Sequence, residues 1–198
     1  MDVVLIDAGG ANLGSVEQAL LRLGVTPRVV RNAETFGQPD RVLLPGVGAA
    51  AHAMRLLHAR GLVSTLRMSD APLMGICLGM QLLFEHSEEG DVACLGFLQG
   101  QVRKMRPSAA IRVPHMGWND LRFTPGAKLL AGIEPGAQAY FVHGYAVPPG
   151  PACIATTTHG DEISAIVQQG HHCGAQFHPE RSSTIGAQLL RNFLRWAP

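Results

Sequence analysis

The sequence predicts an α/β domain spanning residues 1–198, with a mostly parallel central sheet and an antiparallel extension. Three observations carry this reading. Short apolar runs alternate with helical patterns through the first half of the chain, the order of a parallel sheet with crossover helices. The alternation then stops, and strand-like runs separated by turns follow one another, as in an antiparallel region. A hydrophobic content of 46%, with 23 glycines and 13 prolines, suits a loop-rich α/β chain able to bury a substantial core.

In chain order, residues 3–7 form the opening buried strand. The glycine-rich segment 9–15 then turns into a helix that ends at Leu23, with Gly24 as its stop. This segment has neither GxGxxG nor a Walker lysine, so it is not read as a phosphate loop. Asn12 is either the helix N-cap or a residue presented to a partner. Residues 27–30 and 41–44 are the second and third strands, the third running into Pro45-Gly46-Val47-Gly48-Ala49. Glycines at the C-terminal end of a parallel strand let backbone N–H groups approach a ligand, at the edge where such sheets bind. A helix over 49–60 precedes Gly61.

The organising stretch is residues 72–84. An apolar strand, 73–76, meets a helical pattern from Leu78 onward with no room for a loop, and Phe84 closes its apolar face. Between them stands Gly75-Ile76-Cys77-Leu78-Gly79, the cysteine form of a nucleophile elbow. The turn is strained and crowded, so glycine flanks the cysteine on both sides. The thiol is lifted to a helix N-terminus, whose dipole favours thiolate, and the Leu78 N–H is free to face an oxyanion.

Glu88-Glu89-Gly90-Asp91 reads as a solvated polar loop. Strands are expected over 101–105, 113–123, 138–147, 153–158 and 163–168, then a final strand at 175–177 and a closing helix over 182–196. The basic cluster Arg103, Lys104 and Arg106 is read as a solvated face, with a partner contact as the second account.

A thiolate nucleophile needs a proton carrier held in one tautomer. His52, His58, His171 and His172 are read as surface or packing residues. His178-Pro179-Glu180 follows the final strand, at the sheet edge that also carries Cys77. The spacing of two lets the carboxylate reach the ring and steady its imidazolium form. Cys77, His178 and Glu180 therefore predict acyl transfer through a thioester. Chemistry alone does not name the acyl group.

The net charge of +1 gives no drive toward nucleic acid or membrane surfaces. Residues 1–7 lack the basic start of a secretory signal, and no apolar run approaches a membrane span, so a cytoplasmic location is expected. The four cysteines form no CxxC pair, and are expected to be free thiols with no metal site and no cofactor.

The elbow together with Gln176-Phe177-His178-Pro179-Glu180 resembles the class I (triad) glutamine amidotransferases. Four further blocks narrow the resemblance to the glutaminase subunits of imidazole glycerol phosphate synthase. These are Gly10-Ala11-Asn12-Leu13-Gly14-Ser15, the 45–49 block, Val113-Pro114-His115-Met116-Gly117-Trp118-Asn119, and Tyr140-Phe141-Val142-His143-Gly144-Tyr145. The likeness spans the whole chain.

The resemblance implies a flavodoxin-like three-layer domain that hydrolyses L-glutamine to glutamate and ammonia. Cys77 would attack the side-chain amide, His178 would protonate departing ammonia, and Glu180 would orient His178. Gly46, Val47, Gly48 and Leu78 would form the oxyanion hole; because peptides beside glycine rotate cheaply, its donor is expected to be misaligned until the partner's ligand binds. Gln81 and the backbone of His143, Gly144 and Tyr145 would grip the amino-acid end of glutamine.

It also implies a heterodimer with a (β/α)8-barrel cyclase that receives the ammonia. Asn12, Pro114, Met116, Trp118, Tyr140 and Arg181 would belong to the docking face, a buried core role for Trp118 being the alternative. Ala8, Ala50, Gly144 and Arg181 depart from the family pattern and leave the triad intact. Arg181 in place of lysine keeps the charge with a different donor geometry. The competing readings are a glutaminase feeding anthranilate or pyridoxal phosphate synthesis, a non-catalytic scaffold, and a cysteine peptidase or esterase on the same elbow.

Overall fold

The computed structural model describes residues 1–9 and 12–197. Gly10 and Ala11, which open one of the quoted blocks, lie outside the described residues. The first half runs β1 (Val3–Ile6), α1 (Leu13–Arg22), β2 (Arg28–Val30), β3 (Arg41–Gly46), α2 (Ala50–Ala59), α3 (Leu62–Met68), β4 (Leu73–Cys77) and α4 (Leu78–Gln81). Then come β5 (His86–Ser87), β6 (Val92–Ala93), β7 (Gln101–Lys104), β8 (His115–Asp120), β9 (Gln138–His143) and β10 (Tyr145–Ala146). The chain closes with β11 (Cys153–His159), β12 (Asp161–Gln169), β13 (His172–Ala175) and α5 (Ser183–Arg195).

The main sheet has the order β11-β12-β13-β4-β3-β1-β2. From β2 to β13 neighbouring strands are parallel, and β12 and β11 add antiparallel to the β13 edge. Successive side chains of a strand point to opposite faces. In β1, Val4 and Ile6 accordingly pack with α2 and α3 residues such as Met54, Leu57 and Leu66. Val3 and Leu5 pack on the other face with Leu20 of α1 and Leu189, Leu190 and Phe193 of α5. A sheet buried on both faces between helices is the three-layer arrangement the sequence predicts.

Two small sheets complete the molecule: β10-β7-β5-β6, and the β8–β9 ribbon. The predicted strand over 138–147 breaks at Gly144, because β9 pairs with β8 whereas β10 pairs with β7. The last parallel strand is β13, and it ends at Ala175, so Gln176 and Phe177 already belong to the loop that leads to His178. The predicted 113–123 strand contracts to β8, with Arg122 making only an isolated bridge to Thr156.

Gly61 stops α2 as expected, with φ of 69°, but a second helix, α3, starts immediately after it. Its seven residues are too few for a helical period to be distinguished from an apolar run. The helix expected from Leu78 onward is a single turn. Aligned peptide dipoles over one turn are weak. No helix among the described residues is long and apolar enough to cross a membrane.

Candidate active site

Three adjacent strands deliver the site. β3, β4 and β13 are parallel neighbours, so their C-terminal ends reach the same sheet edge. Gly46 at the end of β3 is the register partner of Cys77 at the end of β4, and His178 follows β13.

Cys77 holds φ 54° and ψ −112°, a strained conformation for a residue bearing a side chain. The two elbow glycines are required by contact. A Cβ on Gly79 would sit 1.6 Å from the Leu44 carbonyl oxygen, and one on Gly75 would sit 2.5 Å from the Gly79 oxygen. The elbow turn is therefore pressed onto β3 with no space for a methyl group. As the first residue of the helical turn, Leu78 has no preceding helical carbonyl for its N–H.

The His178 ring is buried, and its Nδ1 pairs with Glu180 Oε1 at 2.7 Å. The Glu180 side chain has no solvent exposure. The other ring nitrogen, Nε2, is buried without a hydrogen-bond partner among the described residues. Burial alone would lower the His178 pKa. The Cys77 sulfur and the Glu180 carboxylate outweigh it and push the value up to about 10. The ring thus carries a proton at neutral pH, flanked by the Cys77 sulfur on one side and the carboxylate on the other.

A cleft of about 310 Å³ opens over Cys77. Val47, Gly48, Leu78, Gln81, His143, Gly144, Tyr145 and His178 all line it, so the sequence-predicted oxyanion and substrate residues converge there. Gly46 lies beside it, in contact with the floor formed by Leu78 and Gly79.

The Gln81 side chain is held rather than free. Its Nε2 donates to the Tyr145 carbonyl and to Gln176 Oε1, both at 2.9 Å. Gln176 Nε2 in turn lies 3.8 Å from Cys77 Sγ. With both amide hydrogens used, Gln81 has only its oxygen to offer a ligand.

Two residues take positions that the linear reading did not assign. Glu89, read as part of a solvated loop, lines the cleft and accepts the Ala50 N–H at 2.9 Å, at the start of α2. The loop 88–91 is the connection between β5 and β6, and only the packing of that small sheet brings it to the site. Acidic residues in a polar turn carry no local signal of this.

Asn12 stands at the N-cap position of α1 but makes no side-chain cap bond. Its amide instead donates to Glu180 Oε1 and lies 3.2 Å from His178 Nδ1. Of the residues that the resemblance places on a docking face, Met116 and Trp118 are 64% and 52% exposed, which removes the buried-core alternative for Trp118. Pro114 is also exposed. Trp118 is paired across the ribbon with Tyr140, and the Arg181 guanidinium sits 5.7 Å over the Tyr140 ring.

A strained cysteine elbow, a buried His–Glu pair and a glycine-lined cleft on a doubly covered parallel sheet together have the geometry of a thiol acyl-transfer site. The family model described as glutamine amidotransferase class-I matches residues 4–196, and the chain belongs to that family. Within it, the chain is similar to the imidazole glycerol phosphate synthase subunit HisH of Xanthomonas campestris pv. campestris (strain 8004). The two are 61% identical, over 98% of this chain and 96% of the relative. The HisH subunit of Xylella fastidiosa (strain Temecula1) is 60% identical over the same shares.

Among solved structures, a glutamine amidotransferase shares the fold with a TM-score of 0.75 at 24% identity, covering 97% of both chains. PurLQS from Thermotoga maritima does so with a TM-score of 0.72 at 20% identity, covering 98% of this chain and 97% of that one.

Proposed function

We propose that this chain is the glutaminase subunit of an imidazole glycerol phosphate synthase, acting as one 198-residue domain in the cytoplasm. The observation that carries the reading is the convergence of Cys77 and His178 at one cleft, with Glu180 buried and paired to the His178 ring. The similarity to HisH subunits over nearly the whole chain supports the particular pathway, histidine biosynthesis.

Glutamine enters with its side-chain amide toward Cys77. The Cys77 Sγ attacks the amide carbon as a thiolate, its proton held by His178, and the carbonyl electrons move to oxygen, which the Leu78 N–H and the N–H groups of residues 46–48 stabilise. His178, already protonated, gives its Nε2 proton to the amide nitrogen. Ammonia leaves and a thioester remains on Cys77. Water then gives a proton back to His178 and attacks the thioester, releasing glutamate and restoring the thiolate. Glu180 keeps Nδ1 occupied throughout, so Nε2 is the nitrogen that exchanges protons.

At the other end of the substrate, the free Gln81 oxygen and the Glu89 carboxylate suit an α-ammonium group. The backbone of His143, Gly144 and Tyr145 completes that end of the cleft. A negative and an acceptor group facing a cationic amine favour a free amino acid over an internal residue of a polymer, whose nitrogen is an uncharged amide.

The ammonia is passed to a (β/α)8-barrel cyclase docked on the β8–β9 ribbon, which makes imidazole glycerol phosphate and aminoimidazole carboxamide ribotide. The exposed Trp118 and Met116, ringed by Pro114, Tyr140 and Arg181, supply an aromatic anchor for such an interface. Glutamate release is to be measured with and without the barrel and its ribotide ligand. Stimulation that Cys77→Ala abolishes supports the reading. Glutaminase activity indifferent to the barrel rejects the pathway, and absence of activity under every condition rejects the enzyme.

A further inference from the structure

His115 and His143 are buried, and neither ring belongs to the acyl-transfer step. They form a chain of hydrogen bonds whose direction is set at both ends by backbone groups. At one end, the Asp120 N–H donates to Asn119 Oδ1 at 2.8 Å, and Asn119 Nδ2 donates to the Thr158 carbonyl at 2.9 Å. The Asn119 amide can therefore face His115 Nε2 only as a donor, at 3.2 Å. That makes Nε2 an acceptor and places the His115 hydrogen on Nδ1. Nδ1 meets His143 Nε2 at 3.0 Å, so the His143 hydrogen is on Nδ1 as well. It points at the Tyr145 carbonyl, 2.8 Å away, which can only accept.

The same carbonyl accepts from Gln81 Nε2, and Gln81 leads through Gln176 to the Cys77 sulfur. Two donor-to-acceptor runs thus meet at the Tyr145 carbonyl, one coming from β8 of the docking ribbon and one starting at Gln81, which also donates toward the elbow through Gln176. The two rings are boxed in: His115 stacks between Phe141 and His159, with centroids at 4.8 and 4.1 Å.

We infer that His115 and His143 are positioning residues for glutamine, a neutral pair of fixed tautomers that holds the Tyr145 carbonyl and Gln81 in place for the substrate's amino-acid end. This rests on the proposed glutaminase activity for its kinetic test and on geometry alone for its spectroscopic one. An added proton on either ring would set two donors face to face and break the run from β8. Burial lowers the His115 pKa to about 4 and the His143 pKa to about 3. The charged forms that face the pair, those of His159 and His178, act in the same direction.

The first test is ¹⁵N NMR of histidine-labelled full-length protein at pH 6. Both rings are expected as neutral Nδ1–H tautomers; an imidazolium or an Nε2–H form at either position overturns the inference. The second is steady-state glutamine hydrolysis by the complex with the barrel. His115→Leu is expected to raise KM for glutamine about tenfold or more while kcat changes less than about threefold. His115→Asn, which keeps a donor near the Nδ1 position, is expected to recover part of the loss. An unchanged KM in folded His115→Leu overturns the positioning role. Failure of the wild-type complex to release glutamate would reject the proposed function, while the tautomers would still decide the pair. If His115→Leu does not fold, His143→Gln is the substitute variant, which places its amide near the Nε2 position and loses the Nδ1 donor to the Tyr145 carbonyl; the same KM rise is expected, and an unchanged KM again overturns the role.

Discussion

Asn12 and Glu180, 168 residues apart in the chain, are joined by a hydrogen bond from side-chain amide to carboxylate. The oxygen concerned, Oε1, is the one that also pairs with His178 Nδ1. A carboxylate oxygen fixed by two donors holds its histidine in a narrower range of orientations than one fixed by a single donor. Asn12 thus ties the start of α1, where the resemblance places part of the docking face, to the proton carrier.

Removing that tie has a kinetic signature. Asn12→Ala is expected to lower kcat about tenfold with KM for glutamine nearly unchanged. Asn12→Asp should cost more, because it sets a second carboxylate against a buried one. Steady-state kinetics of the complex and titration of the partner separate the possibilities. Loss of partner affinity with kcat intact would assign Asn12 to docking alone.

The elevated His178 pKa predicts an alkaline limb. The folded value, about 10, lies above the ordinary 6.5. The ion-pair contribution to stability is therefore full below about pH 6.5 and is lost as pH rises through about 10. The kcat of the complex should fall over the same upper range, as the ring loses the proton destined for ammonia. Glu180→Gln removes one of the two groups that raise the pKa, so the limb moves to lower pH. A pH–rate profile of both proteins checks this, and an unmoved limb would mean that another group titrates.

Two glycine substitutions of equal size should act in opposite directions. Gly79→Ala drives a methyl group into the Leu44 carbonyl oxygen and has nowhere to move, so a loss of about 4 kcal/mol or more is expected. Gly14→Ala lies in α1 with nothing among the described residues within 4 Å of the new carbon. It should gain about 0.5–1 kcal/mol from reduced chain entropy. Urea denaturation of both variants measures the difference.

Trp118 gives a clean separation of binding from folding. Being half-exposed on the ribbon, its replacement by alanine should leave the melting temperature nearly unchanged. A central aromatic anchor is worth about 2 kcal/mol or more, so affinity for the barrel should fall at least about thirtyfold. Calorimetric titration and thermal unfolding of the same preparation test both halves. Unaltered affinity would place the docking surface elsewhere.

The elbow was legible because its demands are local. A cysteine between two glycines at the end of an apolar strand is crowded within five residues of chain, as the approach of Gly75 to the Gly79 oxygen shows, and the Leu44 contact from β3 adds to it. His178 and Glu180 were legible for the same reason, since a spacing of two suffices to bring carboxylate to ring. The parallel-then-antiparallel order also followed from local periodicity, and the observed sheet keeps it.

Only the tertiary structure decided what depends on distant packing. Asn12 turns from its helix toward Glu180, Glu89 swings from a polar loop into the cleft, and α3 restarts directly after the Gly61 stop. The tautomers of His115 and His143 are set by Asp120, Thr158 and Tyr145, brought together by the pairing of β8 with β9 and the packing of β11 beside it. A polar side chain in a loop has many partners it could satisfy, and sequence spacing chooses among them only when the partner is a few residues away. Sheet register and layer packing make that choice for the rest.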